Sequence, residues 1–469
     1  MKKPGHMMKI IVVIFFSCLF FTFTTIASSK GYECVECHSK PDNMPGLFKQ
    51  YTKSKHSTEG VTCIECHGAK RDEPDAFEHY DEYISIIVSP LDCGRCHEKA
   101  LNEFQASQHA NARELITTGL GGYFLNSPDL LANRYKVGKY AAGVNGCFRC
   151  HGSEIKLDKH GYPTVDTWPN SGIGRKNPDE SLGNCAACHE RHEFSLAQAR
   201  HPAACAICHN ELGGDPQIEA YNTSRHGTSF YAQQGQMNLA ADNWVVGEDY
   251  YAAPTCATCH MGGAPGISST HNINLRLNWN ELLQKNNSVA LQEKCGLPES
   301  IGDVYVQPKP DKEHRRNMKQ VCTACHSEKL FNYYVAQYEA EVQLVREKWL
   351  KPGKELYRLA TKLLQARANY KKEPYTPFTN PIDYTWLGIC NLNTKQAHTG
   401  ASMVSPGMVQ EGNGNIVASW YSSYIPQLCG FVNENIEASN PGVKNAAEAL
   451  SEKLKEVMKD DKACFDPRE

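Results

Sequence analysis

The chain has 469 residues, enough for about two to four domains, and its charges nearly cancel, with 49 Lys and Arg against 52 Asp and Glu. That balance gives no electrostatic footprint for nucleic acid. The 21 cysteines are too many for an ordinary enzyme of a reducing compartment, so disulfides, metal or a cofactor must account for them.

The first segment reads as a leader. Lys2, Lys3 and Lys9 give a basic start. Ile10 to Phe23 is apolar apart from Ser17, Cys18 and Thr22, and the small residues Ala27, Ser28 and Ser29 follow. This is the pattern of a signal peptide over 1–29. The alternative, an uncleaved anchor, needs about 20 apolar residues. The expectation is export to the periplasm or an equivalent extracytoplasmic compartment, with Cys18 lost and no membrane span in the mature chain.

Eight Cys-x-x-Cys-His motifs come next. They are Cys34/Cys37/His38, Cys63/Cys66/His67, Cys93/Cys96/His97 and Cys147/Cys150/His151. Then follow Cys185/Cys188/His189, Cys205/Cys208/His209, Cys256/Cys259/His260 and Cys322/Cys325/His326. Two thiols at this spacing add to the vinyl groups of one haem, and the adjacent imidazole reaches its iron. Zinc ribbons need no following His, and a thioredoxin-type dithiol would sit in an α/β pattern that is missing. The reading is eight c-type haems, using 16 of the cysteines. Cys295, Cys390, Cys429 and Cys464 remain for structural disulfides, with the pairing open.

Of 19 histidines, eight are proximal and His6 lies in the leader. Ten are left as distal ligands: His56, His79, His109, His160, His192, His201, His226, His271, His314 and His398. An electron-transfer haem takes a second strong ligand and a catalytic one keeps that place open. Counting alone decides nothing, because ten suffice for all eight.

The expected fold is mainly α. Residues 30–330 form a multihaem cytochrome c domain of short helices and loops around a haem-packed interior. Residues 331–469 form a long-helix bundle. Val335, Tyr338, Val342, Val345 and Trp349 repeat at heptad-like spacing, as do Leu356, Leu359, Leu363, Ala366 and Tyr370, and Val443, Ala447, Leu450, Leu454 and Val457. Pro352-Gly353 should kink or break the first helix. The seams suit packing on the haem domain and between subunits.

The strings around the motifs carry a resemblance. They include Ser54-Lys55-His56, Phe77-Glu78-His79, Thr167-Trp168-Pro169-Asn170-Ser171-Gly172-Ile173-Gly174-Arg175 and Cys188-His189-Glu190-Arg191-His192. Pro216-Gln217-Ile218-Glu219, Ser224-Arg225-His226-Gly227 and Pro254-Thr255-Cys256 follow. Over nearly the whole mature chain this resembles the octahaem hydroxylamine oxidoreductase family. The resemblance implies a five-coordinate catalytic fourth haem at Cys147, Cys150 and His151, and seven bis-His haems. It assigns the distal places to His56, His79, His109, His192, His226, His271 and His314, leaving His160, His201 and His398 as non-ligands. It also implies a homotrimer.

Two departures bear on activity. Oxidising members carry a haem-crosslinking tyrosine where this chain has Ser405-Pro406-Gly407-Met408, so Met408 takes that position. Tyr421 and Tyr424 need a shifted alignment. The family's Asp-His pair after the sixth motif becomes Glu211-Leu212-Gly213-Gly214-Asp215-Pro216-Gln217. The missing tyrosine points to reduction of nitrite or another small nitrogen oxide, with electrons from a redox partner cytochrome or a quinol-linked donor. Such a reaction needs a positioned acid. Asp215 is the first candidate, or a plain turn residue, and Tyr250 or Tyr251 the second. Hydroxylamine or hydrazine oxidation is one alternative. An electron conduit without substrate, its fourth haem closed by His160 or His398, is the other.

Overall fold

The computed structural model describes residues 30–126, 146–211, 214–276, 294–298, 312–459 and 464. The leader expected over 1–29, with Cys18, lies outside them. The fold is mainly helical. Its N-terminal part is a succession of short helices and turns. The one two-stranded sheet among the described residues pairs Phe77–His79 antiparallel with Glu82–Ile84, in the register Phe77 to Ile84. No helix among the described residues is long and apolar enough to cross a membrane.

The C-terminal part is built from longer helices. Glu328–Val345 starts at Ser327, whose hydroxyl accepts from Leu330 N. It runs into one wide π turn, Arg346–Leu350, and then Lys351–Lys371. The break predicted by Pro352-Gly353 is therefore this single widened turn, which takes up the hydrogen bond that proline cannot donate. Gly353 is required by packing, since a Cβ there would stand 2.3 Å from the Trp386 ring.

The predicted seams close inside one chain. Leu356 and Leu363 of the second long helix and Ala447, Leu450 and Leu454 of Pro441–Met458 are all fully buried in one core. Each fully buried leucine contributes about 1.5–3 kcal/mol. Truncating Leu450 to Ala would cost about 2–5 kcal/mol. The outer seam position Tyr370 is 60% exposed. The same core draws in Cys295 and Leu297, with Leu120, Tyr123 and Phe124 packed on its edge, so it extends beyond the expected boundary at 331. The four remaining cysteines pair as Cys295–Cys390 and Cys429–Cys464.

Candidate redox centre

Each Cys-x-x-Cys-His unit occupies about one helical turn. Positions i, i+3 and i+4 share one face of a helix, so both thiols and the imidazole point the same way. The amides of His97, His151, His189, His209 and His326 close these turns on the carbonyl of the first motif cysteine. Caps start them. Asn184 accepts from Ala186 N, and Thr255 and Thr258 bond reciprocally.

Six motif histidines face a second imidazole from a distant segment. Ring centres stand 6.2 Å apart for His38 and His79, 6.1 Å for His97 and His56, and 6.3 Å for His67 and His192. For His189 and His271 the separation is 6.3 Å, for His209 and His109 6.2 Å, and for His326 and His226 6.0 Å. An imidazole nitrogen about 2 Å from a metal on each side gives a ring-centre spacing of about 6 Å. These pairs thus fit axial ligation of a haem iron. Burial, reinforced by neighbouring imidazoles, pushes His109 down to about 3 and His189, His192 and His260 to about 4. The rings are held in the neutral form that binds metal.

The attachment cysteines order the motifs in space. Cys34 meets Cys63, Cys66 lies in the field of Cys93, and Cys93 meets Cys185. Cys188 lies near Cys205, which meets Cys256, and Cys259 lies near Cys322. Cys208 meets Cys150. The run is first, second, third, fifth, sixth, seventh and eighth, with the fourth joined at the sixth.

Four attachment thiols take no part in these contacts. Cys96, Cys147 and Cys325 are exposed. Cys37 is half-buried, and its sulfur accepts from Asn43 Nδ2 at 3.2 Å instead of meeting another motif. Their places in the run explain this. Cys37 and Cys325 belong to its two ends, and Cys147 to the branch, where one side of each motif has no neighbour to cover it. At the third motif Cys93 alone serves both neighbours, which leaves Cys96 turned outward.

Two motif histidines, His151 and His260, have no imidazole at that spacing among the described residues. They differ in setting. The helix Lys312–Thr323, which carries His314, packs beside Cys256–His260. His151 instead lies in the field of His209 and of Lys395. Its Nδ1 is 2.9 Å from Ala112 O, which fixes the tautomer and directs Nε2 away.

The Asn170–Arg175 string forms the seat of this motif. Ile173 N donates to Cys150 O, and the Ser171 hydroxyl donates to Arg149 O. A Cβ on Gly172 would stand 2.1 Å from Gly152 N, so only glycine allows the two backbones to meet. Arg175, 1% exposed, ties the seat to Val88 O, Asn170 O and Asn177.

Asp215 stands between two sites. One carboxylate oxygen pairs with Lys395, and the other is 3.6 Å from His209 Nδ1. That separation is an electrostatic contact rather than a hydrogen bond. The carboxylate is therefore engaged on both sides, and the candidate acid is half of an ion pair. Lys395, on the first turn of Thr394–Ser402, was missed in the sequence. No local pattern marks it. Burial pulls its ammonium down to about 8.

The two tyrosines proposed as acids lie elsewhere. The Tyr250 hydroxyl is 2.6 Å from Thr258 of the seventh motif, its ring stacks on Trp244, and burial raises its phenol above the usual range. It is a packing residue of the seventh site. Tyr251 is 77% exposed. His160 sits in an exposed turn, and His201 caps Pro202–Ala206 through Ala203 N. His398 is fully buried beside Lys294, with neither ring nitrogen bonded. None of these three pairs with a motif histidine. Met408 is buried against Gly400 of its own chain. Tyr424 is fully buried and donates to Gly353 O, whereas Tyr421 is half exposed.

Two family models match. One described as seven times multi-haem cytochrome CxxCH covers 174–344, and one described as cytochrome c554 and c-prime covers 22–68 and 92–166. The chain is a multihaem c-type cytochrome. It is 26% identical over 328 residues to a probable nitrite reductase-hydroxylamine oxidoreductase fusion protein of Kuenenia stuttgartiensis, covering 57% of this chain and 37% of that relative. A solved structure titled hypothetical multiheme protein superposes with TM-score 0.67 at 21% identity, over 84% of this chain and 95% of that one. A Kuenenia stuttgartiensis reducing HAO-like protein complex gives TM-score 0.60 at 17% identity, over 92% and 87%. These likenesses give the chain the fold of hydroxylamine oxidoreductase-like multihaem proteins.

Proposed function

We propose that the chain is an exported enzyme with eight c-type haems that reduces nitrite, or a related small nitrogen oxide, at an open fourth haem. One contrast carries this reading. Six motif histidines face a second imidazole, whereas His151 has none at that spacing among the described residues and no described helix bearing a spare histidine is packed on its motif as Lys312–Thr323 is on the seventh. The name of the fusion relative and that of the reducing structural neighbour support the substrate class. The two disulfides suit an oxidising compartment and so support export.

A haem at the fourth motif, when bound, supplies electrons to a small ligand on its open face. The residues of the chain set the conditions. Ala112 O orients His151, and the paired histidines hold the groups that relay electrons. Converting nitrite to nitric oxide consumes one electron and two protons and releases water, so protons must be delivered there. His209 and Lys395 are the groups whose charge acts on His151, and Asp215 is paired with Lys395.

Assembly as a homotrimer, or a multiple of one, belongs to the same proposal. Its surface is not the seam, which closes within the chain. Tyr333, Tyr334, Leu344, Val417 and Tyr421 of the C-terminal helices stay exposed and supply apolar area instead.

The test uses the mature protein with dithionite-reduced viologen. Nitrite should be consumed faster than hydroxylamine is oxidised with an artificial acceptor. The reduced protein should lack the red-shifted absorbance of a crosslinked haem, because a thioether at Met408 cannot form the bonds of a phenol. Oxidation outrunning reduction would transfer the reading to the alternative, with Tyr421 as the crosslinking residue.

A further inference from the structure

We propose that Phe194 is a positioning residue shared by the second and third haems, its ring fixing the planes of both distal imidazoles. This rests on the reading of the facing histidines as axial ligands, and it adds a determinant of their geometry that lies outside every motif.

The contacts are direct. The Phe194 ring centre stands 5.1 Å from that of His56 at an interplanar angle of 84°, and 6.4 Å from that of His192 at 78°. Both are edge-to-face arrangements within the range that aromatic pairs favour. His56 faces His97 of the third motif, and His192 faces His67 of the second. The turns of those two motifs, Cys63–His67 and Pro90–Gly94, pack on each other. One phenyl thus touches the outer imidazole of two neighbouring sites.

The ring is not placed there by core packing. Phe194 belongs neither to the C-terminal core nor to the apolar cluster around Trp244 and Tyr250. Among the described residues its ring meets no aromatic group but these two imidazoles. Its φ is +49°, a left-handed conformation that glycine holds freely and a bulky side chain does not. Phe194 N closes the turn after the fifth motif on Glu190 O at 2.9 Å. That turn would form more readily with glycine, so the phenyl stands against the backbone preference.

The two imidazoles need such a restraint. A ligating histidine is usually oriented by a hydrogen bond at its other ring nitrogen. His67 has one, with Nδ1 2.8 Å from Ser85 O. Among the described residues no protein hydrogen bond reaches the ring of His56 or of His192. Edge contact with Phe194 limits the rotation of each about its bond to iron. The ligand planes then meet at 27° at the second site and at 71° at the third. Near-parallel and crossed imidazoles split the iron d orbitals differently, so the two ferric haems carry distinguishable low-spin signals.

The test compares F194A and F194L with the wild type by electron paramagnetic resonance of the oxidised protein. Intact mass first confirms the same haem count in each. The two signals are assigned with His56→Met and His192→Met, each of which replaces one imidazole. Both Phe194 variants should broaden the signals of the second and third haems together, as their ligand planes sample a wider range of angles. The other signals should stay unchanged. Leucine fills most of the space without presenting a flat ring edge, so a wild-type spectrum in F194L would make Phe194 mere filler and overturn the proposal. Broadening of one signal, of neither, or of every signal in F194A overturns it too. Methionine variants that alter no low-spin signal would instead refute axial ligation by these pairs, a failure distinct from that of Phe194.

Discussion

The rings of His67 and His192 stand 6.3 Å apart at an interplanar angle of 27°. One belongs to the second motif, and the other follows the fifth. This crossing recurs in the other five pairs, so each haem held by such a pair would fasten two remote stretches of chain.

Replacing His192 by Met should leave the haem at Cys63 and Cys66 attached and change only its distal ligand. Met/His ligation raises a haem potential, within the roughly 0.8 V that axial ligands span. Potentiometric titration should show one haem moving upward. The same change at His160, which pairs with no motif, should move none.

Intact mass under denaturing conditions should show the apo-protein plus eight haems. Replacing both Cys147 and Cys150 by Ser should remove one haem and, with it, the high-spin signal in electron paramagnetic resonance. Loss of a haem with retention of that signal would place the open site at another motif.

His398 predicts a pH dependence. Burial pushes its imidazole from 6.5 down to about 3. Above about pH 6.5 the ring is neutral in both folded and unfolded chains. As pH falls from there toward 3, the unfolded chain takes up a proton that the folded chain refuses, so stability declines. His398→Leu should remove this decline, worth about 1.4 kcal/mol per pH unit. It should cost little at pH 7, since neither ring nitrogen is bonded. Acid midpoints of the two proteins, measured in parallel, decide the matter.

The Cys295–Cys390 bridge closes a separation of 95 residues. Its removal by paired alanines should cost about 2–5 kcal/mol. Dithiothreitol should lower the thermal transition while leaving every haem in place, because thioethers resist thiol exchange. An unchanged transition would show that the C-terminal core holds residue 295 without the bond.

What the sequence made legible follows from how each feature is encoded. Haem attachment needs five consecutive positions, so Cys63 to His67 can be read locally. Which motifs then pack beside one another has no local sign. Long helices show as periodic leucines, and Leu450 and Leu454 are buried as that period demands. Which surface they meet is equally silent, so a seam that suited a subunit contact is filled by the chain's own Leu356 and Leu363. The distal histidines were accessible through resemblance, because no spacing joins His209 to His109. Tyr250 was suspected for its chemistry, and Trp244 and Thr258 claim it for packing. Lys395 and Asp215 meet only through the tertiary fold, and neither stands in a motif of its own.

The branching at the sixth motif has a consequence for traffic. Drawn as a graph, the sixth motif is the node whose deletion leaves three separate pieces, and the fourth is a leaf. A leaf can draw charge or return it but cannot pass it on. Current between the first and eighth motifs can therefore flow while the fourth is idle, or blocked by a bound inhibitor. Conversely, a protein damaged only at His109 or His209 would keep a charged arm on either side and a terminus that neither arm could reach.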